Sequence, residues 1–375
     1  MMNSTSAVLL EFDSQRNQLS KGKKLHDGLS VVVQIGHTLW VTNDETISVE
    51  RLSRQEGTAG TYKYGEHKQF ALHDYLQLPV PPSDSKDGKK IEEADIEGLD
   101  YNNSYLWLVG SHSLKRSKPD TEDSSAKSIK RLAKVSSDGN RFLLARIPVV
   151  EATYTLEKTV EQNGKKLTAA QLHGNQTGND LTTALAEDEH LQSFLALPGK
   201  DNGFDIEGLA VLGNCIFLGL RGPVLRGWAV ILELEVEEAS PSSLKLRPIG
   251  AGGRPYRKHF LDLNGLGIRD LCVQDADLLI LAGPTMDLDG PVILFRWSGG
   301  TQPSEESLVD GEALDTIMNI PFGQGQEQRQ DHAEGMTLFG PNGSDTRSIL
   351  VVYDAAAASR QVGTSGVKAD VFALL

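Results

Sequence analysis

The chain has little cysteine: two residues, Cys215 and Cys272, among 375, both inside apolar runs that read as strands. That rules out a disulfide framework and any paired-cysteine zinc pattern, and it predicts buried, reduced thiols of a cytoplasmic protein. Long apolar runs are missing too, and nothing approaches the roughly 20 residues of a membrane-spanning helix. Met1 to Leu10 has no basic n-region, and its apolar stretch Ala7 to Leu10 falls short of the about 7 to 15 residues of a signal-peptide core. Positive charge is scarce: the net charge is −14, which opposes general attraction to nucleic acid or anionic membrane and leaves room only for a local basic pocket. The usual catalytic signatures are also absent. There is no Gly-rich phosphate loop with lysine and no Gly-x-Ser-x-Gly elbow, and Ser111 His112 Ser113 is not a triad by sequence.

What is present is a repeat. An acidic residue, a glycine and a large aliphatic open a hydrophobic strand at His26 Asp27 Gly28 Leu29, Ile96 Glu97 Gly98 Leu99, Ile206 Glu207 Gly208 Leu209 and Ala333 Glu334 Gly335 Met336. A fifth copy, Ile268 Arg269 Asp270 Leu271, is a variant of the pattern. A second strand follows each copy, over 38–42, 105–109, 215–218, 278–281 and 349–353. One small unit repeated in this way can bury its faces only against its neighbours, so the pattern predicts an all-β, closed β-propeller. Five blades are expected at about 75 residues each, with six as the competing count, all in one domain over 1–375.

The outer strands follow from period-two alternation and turn residues. They are expected at 47–52 and 69–73, 128–135 and 141–147 around a turn at 136–140, 228–236 and 244–249, 291–297 and 314–320. The last unit offers only 367–374 after its second strand, while 7–12 has no partner of its own. Pairing these two ends would complete the last blade and close the ring. The Ser, Asp and Lys-rich stretches 83–93 and 117–127 read as solvated loops, and an insertion over about 150–204 is predicted to hold a helix from about 180 to 196.

In a propeller the first strand of each blade lines the axis, so Asp27, Glu97, Glu207 and Glu334 converge with Arg269. Like charges that close repel unless neutralised, and a hard divalent ion such as Ca²⁺ or Mg²⁺ would take oxygen ligands there. The alternative is that the carboxylate caps a strand-entry turn, a structural need repeated with the unit. The corners after the second strands differ from unit to unit, as an asymmetric ligand site would: Asn43 Asp44, Ser111 His112, Arg221 Gly222 Pro223, Gly283 Pro284 Thr285 and Tyr353 Asp354. Arg221 on its Gly-flanked loop suits an anion, with Asp44 and Asp354 as further substrate contacts. Arg226 reads as solvated, as do Arg254, Arg257, Lys258 and His259. His112, His332 and His26 are the candidate general bases, with a structural hydrogen bond as the alternative.

The residues Asp95 to Leu99 with Leu106 to His112, Asn202 to Leu209 with Gly219 to Pro223, and His332 to Met336 resemble a bacterial family catalogued as a domain of unknown function, number 3616. More distantly the chain is similar to phytase-like and apyrase-like propellers, in which Glu-Gly segments place carboxylates around a central Ca²⁺. The resemblance implies a metal-dependent hydrolase of a phosphorylated or ester small molecule, with Asp27, Glu97, Glu207 and Glu334 on the metal. His112, Arg221 and Arg269 would be the catalytic groups. The competing expectation is a non-catalytic propeller whose mouth binds a small anion, a sugar or a partner protein. Arg269 departs from a uniform acid ring and argues against a symmetric metal cage.

Overall fold

The computed structural model describes residues 6–55, 62–82, 93–120, 122–286, 288–340 and 347–374. After an N-terminal strand β1 (Ser6–Glu11), the chain builds a run of antiparallel meanders. The first is β2 (Leu29–Ile35), β3 (Thr38–Asn43), β4 (Ser48–Gln55) and β5 (Tyr62–Ala71). The second is β6 (Ile96–Asn102), β7 (Tyr105–Gly110), β8 (Leu144–Val150) and β9 (Ala170–Leu172). In the third, β10 (Asp205–Leu212), β11 (Cys215–Gly222) and the long β12 (Trp228–Ser240) precede a split outer position. There β13 (Ser243–Leu246) pairs with one half of β12 and β14 (Arg257–Asp262) with the other. The fourth is β15 (Gly267–Gln274), β16 (Asp277–Gly283), β17 (Val292–Trp297) and β19 (Leu314–Ile320), while the short β18 (Ser307–Val309) between β17 and β19 in the chain pairs with β14 of the third. The last is β20 (His332–Leu338), β21 (Ser348–Asp354) and β22 (Gly366–Ala373), onto which β1 pairs antiparallel as the outer strand.

The apolar residues sort into layers that lie between successive meanders, including one between the last and the first. Each sheet is therefore covered on both faces, which is why inner strands such as β10 read as near-continuous apolar runs rather than alternating ones. Parallel pairs β1–β5 and β9–β13 join the outer edges of neighbouring meanders, and β18 pairs parallel onto β14, so edges that would otherwise stand open are paired. The result is an all-β, propeller-like arrangement. Among the described residues no helix is long and apolar enough to cross a membrane.

The glycine of the repeat has a packing reason. A Cβ at Gly98 would stand 2.5 Å from Leu209 Cβ, one at Gly208 2.8 Å from Leu271 Cγ, and one at Gly335 2.6 Å from Val31 Cα. Each inner strand thus receives the aliphatic residue of the next one into the space a side chain would fill. In the fourth meander Asp270 takes the glycine position, and its carboxylate accepts the amides of Leu271 and, from the neighbouring β20, Met336.

Several outer elements differ from expectation. The segment 128–135 is not a strand: α1 (Ser125–Leu132) forms there, capped by the Ser124 hydroxyl accepting from Lys127 N–H and tied by Arg131 to Asp123. Residues expected as a turn at 136–140 run into a short 3-10 helix, Gly139–Phe142. The stretch 150–204 is not wholly an insertion, because β9 inside it is the outer strand of the second meander. Its helix is shorter than predicted. α2 (Asp180–Leu185) starts in a capping box at Asn179, and the chain leaves it at a turn where Asp188 Oδ1 accepts the amides of His190 and Leu191. The expected loop at 83–93 lies outside the described residues except for Glu93.

Candidate functional site

Every inner strand carries a β-bulge near its start, and the extra residue is Ser30, Glu97, Glu207, Arg269 or Glu334. A bulge turns its unpaired residue out of the ladder, and here repetition brings the set to one end of the axis. The first position corrects the sequence register: Ser30, not Asp27, is the equivalent residue, because β2 begins after Gly28. Asp27 lies in the preceding turn, 41% exposed, with its carboxylate held by Gln361 and His26.

The strand starts and the second-strand corners border a cavity of about 830 Å³. Its wall includes Asp44, Asp95, Glu97, Asp205, Glu207, Glu334 and Asp354 with Arg141 and Arg221, and Lys200 arrives from the end of the insertion. The guanidiniums are engaged within the wall. Arg221 bonds Asp205 and Glu207, each at 2.5 Å; Arg269 bonds Glu207 and Glu334, each at 3.1 Å, and donates to Pro284 O; Arg141 bonds Asp95 at 2.7 Å. An ion chain Asp205–Arg221–Glu207–Arg269–Glu334 therefore runs across the third, fourth and fifth meanders. Burial works against the charge on Arg221, but Asp205 and Glu207 outweigh it and keep the group cationic.

The other sector has no such chain. Asp44, Glu97 and Asp354 make no ion pair among the described residues. Burial raises the Glu97 carboxyl well above its ordinary range, and the nearby Asp95, Glu207, Glu334 and Asp44 add to the shift. Burial also pushes Asp44 up to about 7, with Asp95 and Asp354 contributing. Asp205 rises to about 6 through burial, held back by Arg221. Glu334 is raised by burial and by Asp354, against the pull of Arg269.

The histidines stand elsewhere. His112 is buried, with one ring nitrogen bonded to Gly110 O at 2.7 Å and the other to the Asn179 amide at 2.7 Å, and burial lowers it to about 4. It faces a separate pocket of about 420 Å³ formed with the 173–183 segment, and with both nitrogens taken it is closed as a general base. His332 contacts Asp289 at 3.2 Å, and His26 is bonded to Asn17. Arg226 is exposed. The cations expected to be solvated are not: Arg254 pairs with Glu306, Arg257 and His259 with Glu233, and Lys258 lies fully buried, 2.7 Å from Asp188.

Asp95, Asp205 and Arg141 were not singled out from sequence. The signal was there for the first two, since Asp95 and Asp205 both open an Asp-Ile-Glu-Gly-Leu string two residues ahead of the bulge. The metal set named from the resemblance does not stand as four free carboxylates: Glu207 and Glu334 share Arg269, and Asp27 is off register. Among the described residues no cluster of three or more His, Cys, Asp or Glu side chains has a metal-holding arrangement, so these residues do not fit a preformed Ca²⁺ or Mg²⁺ cage.

The chain belongs to the family described as protein of unknown function (DUF3616), whose model matches residues 28–370. No curated protein matches it. Solved structures resemble it only loosely. An exo-β-1,3-galactanase of Phanerochaete chrysosporium aligns at 11% identity with a TM-score of 0.38, over 94% of this chain and 62% of that one, so this chain spans less than two thirds of it. Myxococcus xanthus glutaminyl cyclase aligns at 10% identity and TM-score 0.36, over 99% of this chain and 100% of the other. The Malassezia sympodialis allergen Mala s 1 gives 10% and 0.34, over 94% and 80%.

Proposed function

We propose that this DUF3616 protein is a closed five-bladed propeller acting as a hydrolase of a small polar molecule, with carboxyl acid–base chemistry in the axial cavity. The five-blade reading is supported by the five bulged inner strands and by an apolar layer between the last meander and the first. One observation carries the hydrolase reading. Glu97, a carboxyl favoured in its protonated form and lacking a cationic partner, borders the cavity beside Asp95 and Glu207, which guanidiniums hold in place. Two carboxyls in unlike surroundings are the arrangement by which one donates a proton while the other accepts one. Glu97 would protonate the leaving group as the scissile bond breaks. Asp95 would take the proton of the attacking water, and exchange with solvent would restore both.

The test is a screen of glycoside, ester, amide and phosphoester substrates, with chelator and with added Ca²⁺ or Mg²⁺, on wild type and Glu97→Gln. Hydrolysis by the wild type is expected, falling about 100-fold or more in the variant. An equally active Glu97→Gln would overturn the assignment. A second reading, a non-catalytic propeller that binds its ligand at the mouth, is favoured by the closed state of His112 and the absence of a nucleophile elbow. Saturable binding without turnover of any substrate would decide for it.

A further inference from the structure

We infer that α1 seats the molecule on an anionic lipid surface, with the mouth of the axial cavity turned toward the bilayer. At about 100° per residue, α1 and its C-cap Ala133 place Ala126, Ile129, Leu132 and Ala133 in one sector. Lys127, Lys130 and Arg131 fall in the opposite sector, and Lys134 follows just beyond the helix. A helix of that pattern in a folded protein turns its apolar sector to a core. α1 does not: none of its residues is buried, Ile129 is 67% exposed, and Leu132 is exposed as well. Val135 continues the apolar patch, and so does Leu197, exposed beside Pro198 where that segment pairs with Leu114 at the base of the hairpin.

The charge beside this patch decides what covers it. The chain carries −14 overall, yet 115–135 holds seven Lys or Arg against three acidic residues. Asp123 takes Lys127 and Arg131, Lys115 bonds Asp138 and Arg116 bonds Asp201. Lys130 and Lys134 make no ion pair among the described residues. Unpaired cations beside an exposed apolar sector match a surface that layers anions over an apolar phase, as an anionic bilayer does. A second copy packed α1 on α1 would instead oppose like charges. Asp120 and Glu122, exposed ahead of the helix, reduce the attraction, so the contact should be weak and sensitive to salt. Lys118, Pro119 and Leu132 also line the axial cavity, which makes the patch continuous with its mouth. Met286 and Leu288, between β16 and β17, and Val362, between β21 and β22, are further exposed apolar residues on the corner loops of this end. Apolar groups dispersed around an opening can meet one planar interface together.

Flotation of the full chain with vesicles of equal parts phosphatidylglycerol and phosphatidylcholine, and with vesicles of phosphatidylcholine alone, tests this. The expected result is binding to the anionic vesicles only, lost at high salt, with hydrogen exchange over 125–135 slowed in their presence. Affinity should fall about tenfold or more in the double variant Ile129→Gln with Leu132→Gln, and likewise in Lys130→Gln with Lys134→Gln. All four side chains are exposed and glutamine is a good helix former, so an unchanged melting temperature identifies the loss as one of attachment. The inference is overturned if the anionic vesicles bind nothing, if phosphatidylcholine alone binds as well, or if either double variant binds like wild type. Sedimentation covers the remaining case: self-association abolished by the Ile129 and Leu132 substitutions would assign the face to a second copy and overturn it too. Attachment is read without turnover, so it stands or falls apart from the hydrolase reading.

Discussion

Replacing Asp44 by asparagine should stabilise the protein at alkaline pH and leave it nearly unchanged in acid. The carboxyl has an ordinary value of 3.8 and is pushed to about 7, first by burial and then by Asp95 and Asp354. Below about pH 4 both folded and unfolded states carry the neutral acid, and asparagine is its near-isostere, so the two proteins should match. As pH rises from there the unfolded chain ionises while the folded one holds its proton, so wild type loses stability until about pH 7 and is level above it. A shift of roughly three units corresponds to about 4 kcal/mol. Contact with the solvent in the cavity reduces this to about 2–3 kcal/mol. The assay is urea unfolding of both proteins at intervals between pH 4.5 and 8.5, with the difference in midpoint converted through a common slope. A gap that opens with rising pH and levels near 7 is expected. A difference constant across the range, or a variant less stable than wild type at pH 8.5, would refute the placement of an uncompensated carboxyl at this corner.

Gly98→Ala would drive a Cβ to 2.5 Å from Leu209 Cβ, so it should cost about 1–3 kcal/mol in thermal unfolding; an unchanged midpoint would remove the packing account of the repeat glycine. Lys258→Met leaves Asp188, 4% exposed, without its charge partner, and should cost about 3–5 kcal/mol, with hydrogen exchange accelerating in 180–196 and partial recovery on adding Asp188→Asn. Arg269→Met should also cost about 3–5 kcal/mol at pH 8. At pH 5 the cost should shrink, because the Glu334 carboxyl, already raised by burial, takes up a proton once Arg269 is gone; a pH-independent loss would argue against the shared ion pair.

The inner strands were legible because the bulge, the glycine and the aliphatic each answer a need that recurs at every meander, so the sequence repeats with the structure. An unpartnered apolar run near each end of the chain likewise predicts the pairing of β1 with β22, and the two pair. Register in the first meander was not legible: Asp27-Gly28-Leu29 imitates the motif, while the bulge that defines it falls at Ser30. The segment 128–135 misled because Ile129, Leu132 and Val135 suggest a strand. The spacing of Ile129 and Leu132 is helical in α1, Val135 lies in a two-residue strand beyond it, and the three stay exposed at 67%, 44% and 39%. The outer strand β9 was hidden because three residues between polar stretches carry no periodicity to detect. In the site, Arg141 was out of reach of sequence altogether, since it meets Asp95 only through the fold of the 139–142 turn.

The axial ring divides by charge into carboxylates that arginines bond and carboxylates that they do not. On one side Arg221 and Arg269 each bridge two carboxylates, so Asp205, Glu207 and Glu334 are fixed to one another across three meanders. Such a chain leaves those carboxylates little freedom to take a ligand, because removing any member strands a buried charge. On the other side the first meander offers Ser30 and Gly28 where the second places Glu97 and Asp95, and the adjoining Asp44, Glu97 and Asp354 make no ion pair among the described residues, with Lys200 and Lys23 acting on Asp44 from nearby. Ring symmetry would have distributed both properties evenly. Because it does not, a ligand entering the cavity meets a rigid ionic wall on one side and unneutralised carboxyls on the other. The unpaired acids come from three meanders, Asp44 from the first, Glu97 from the second and Asp354 from the last, so the unbonded sector spans the junction of the last meander with the first.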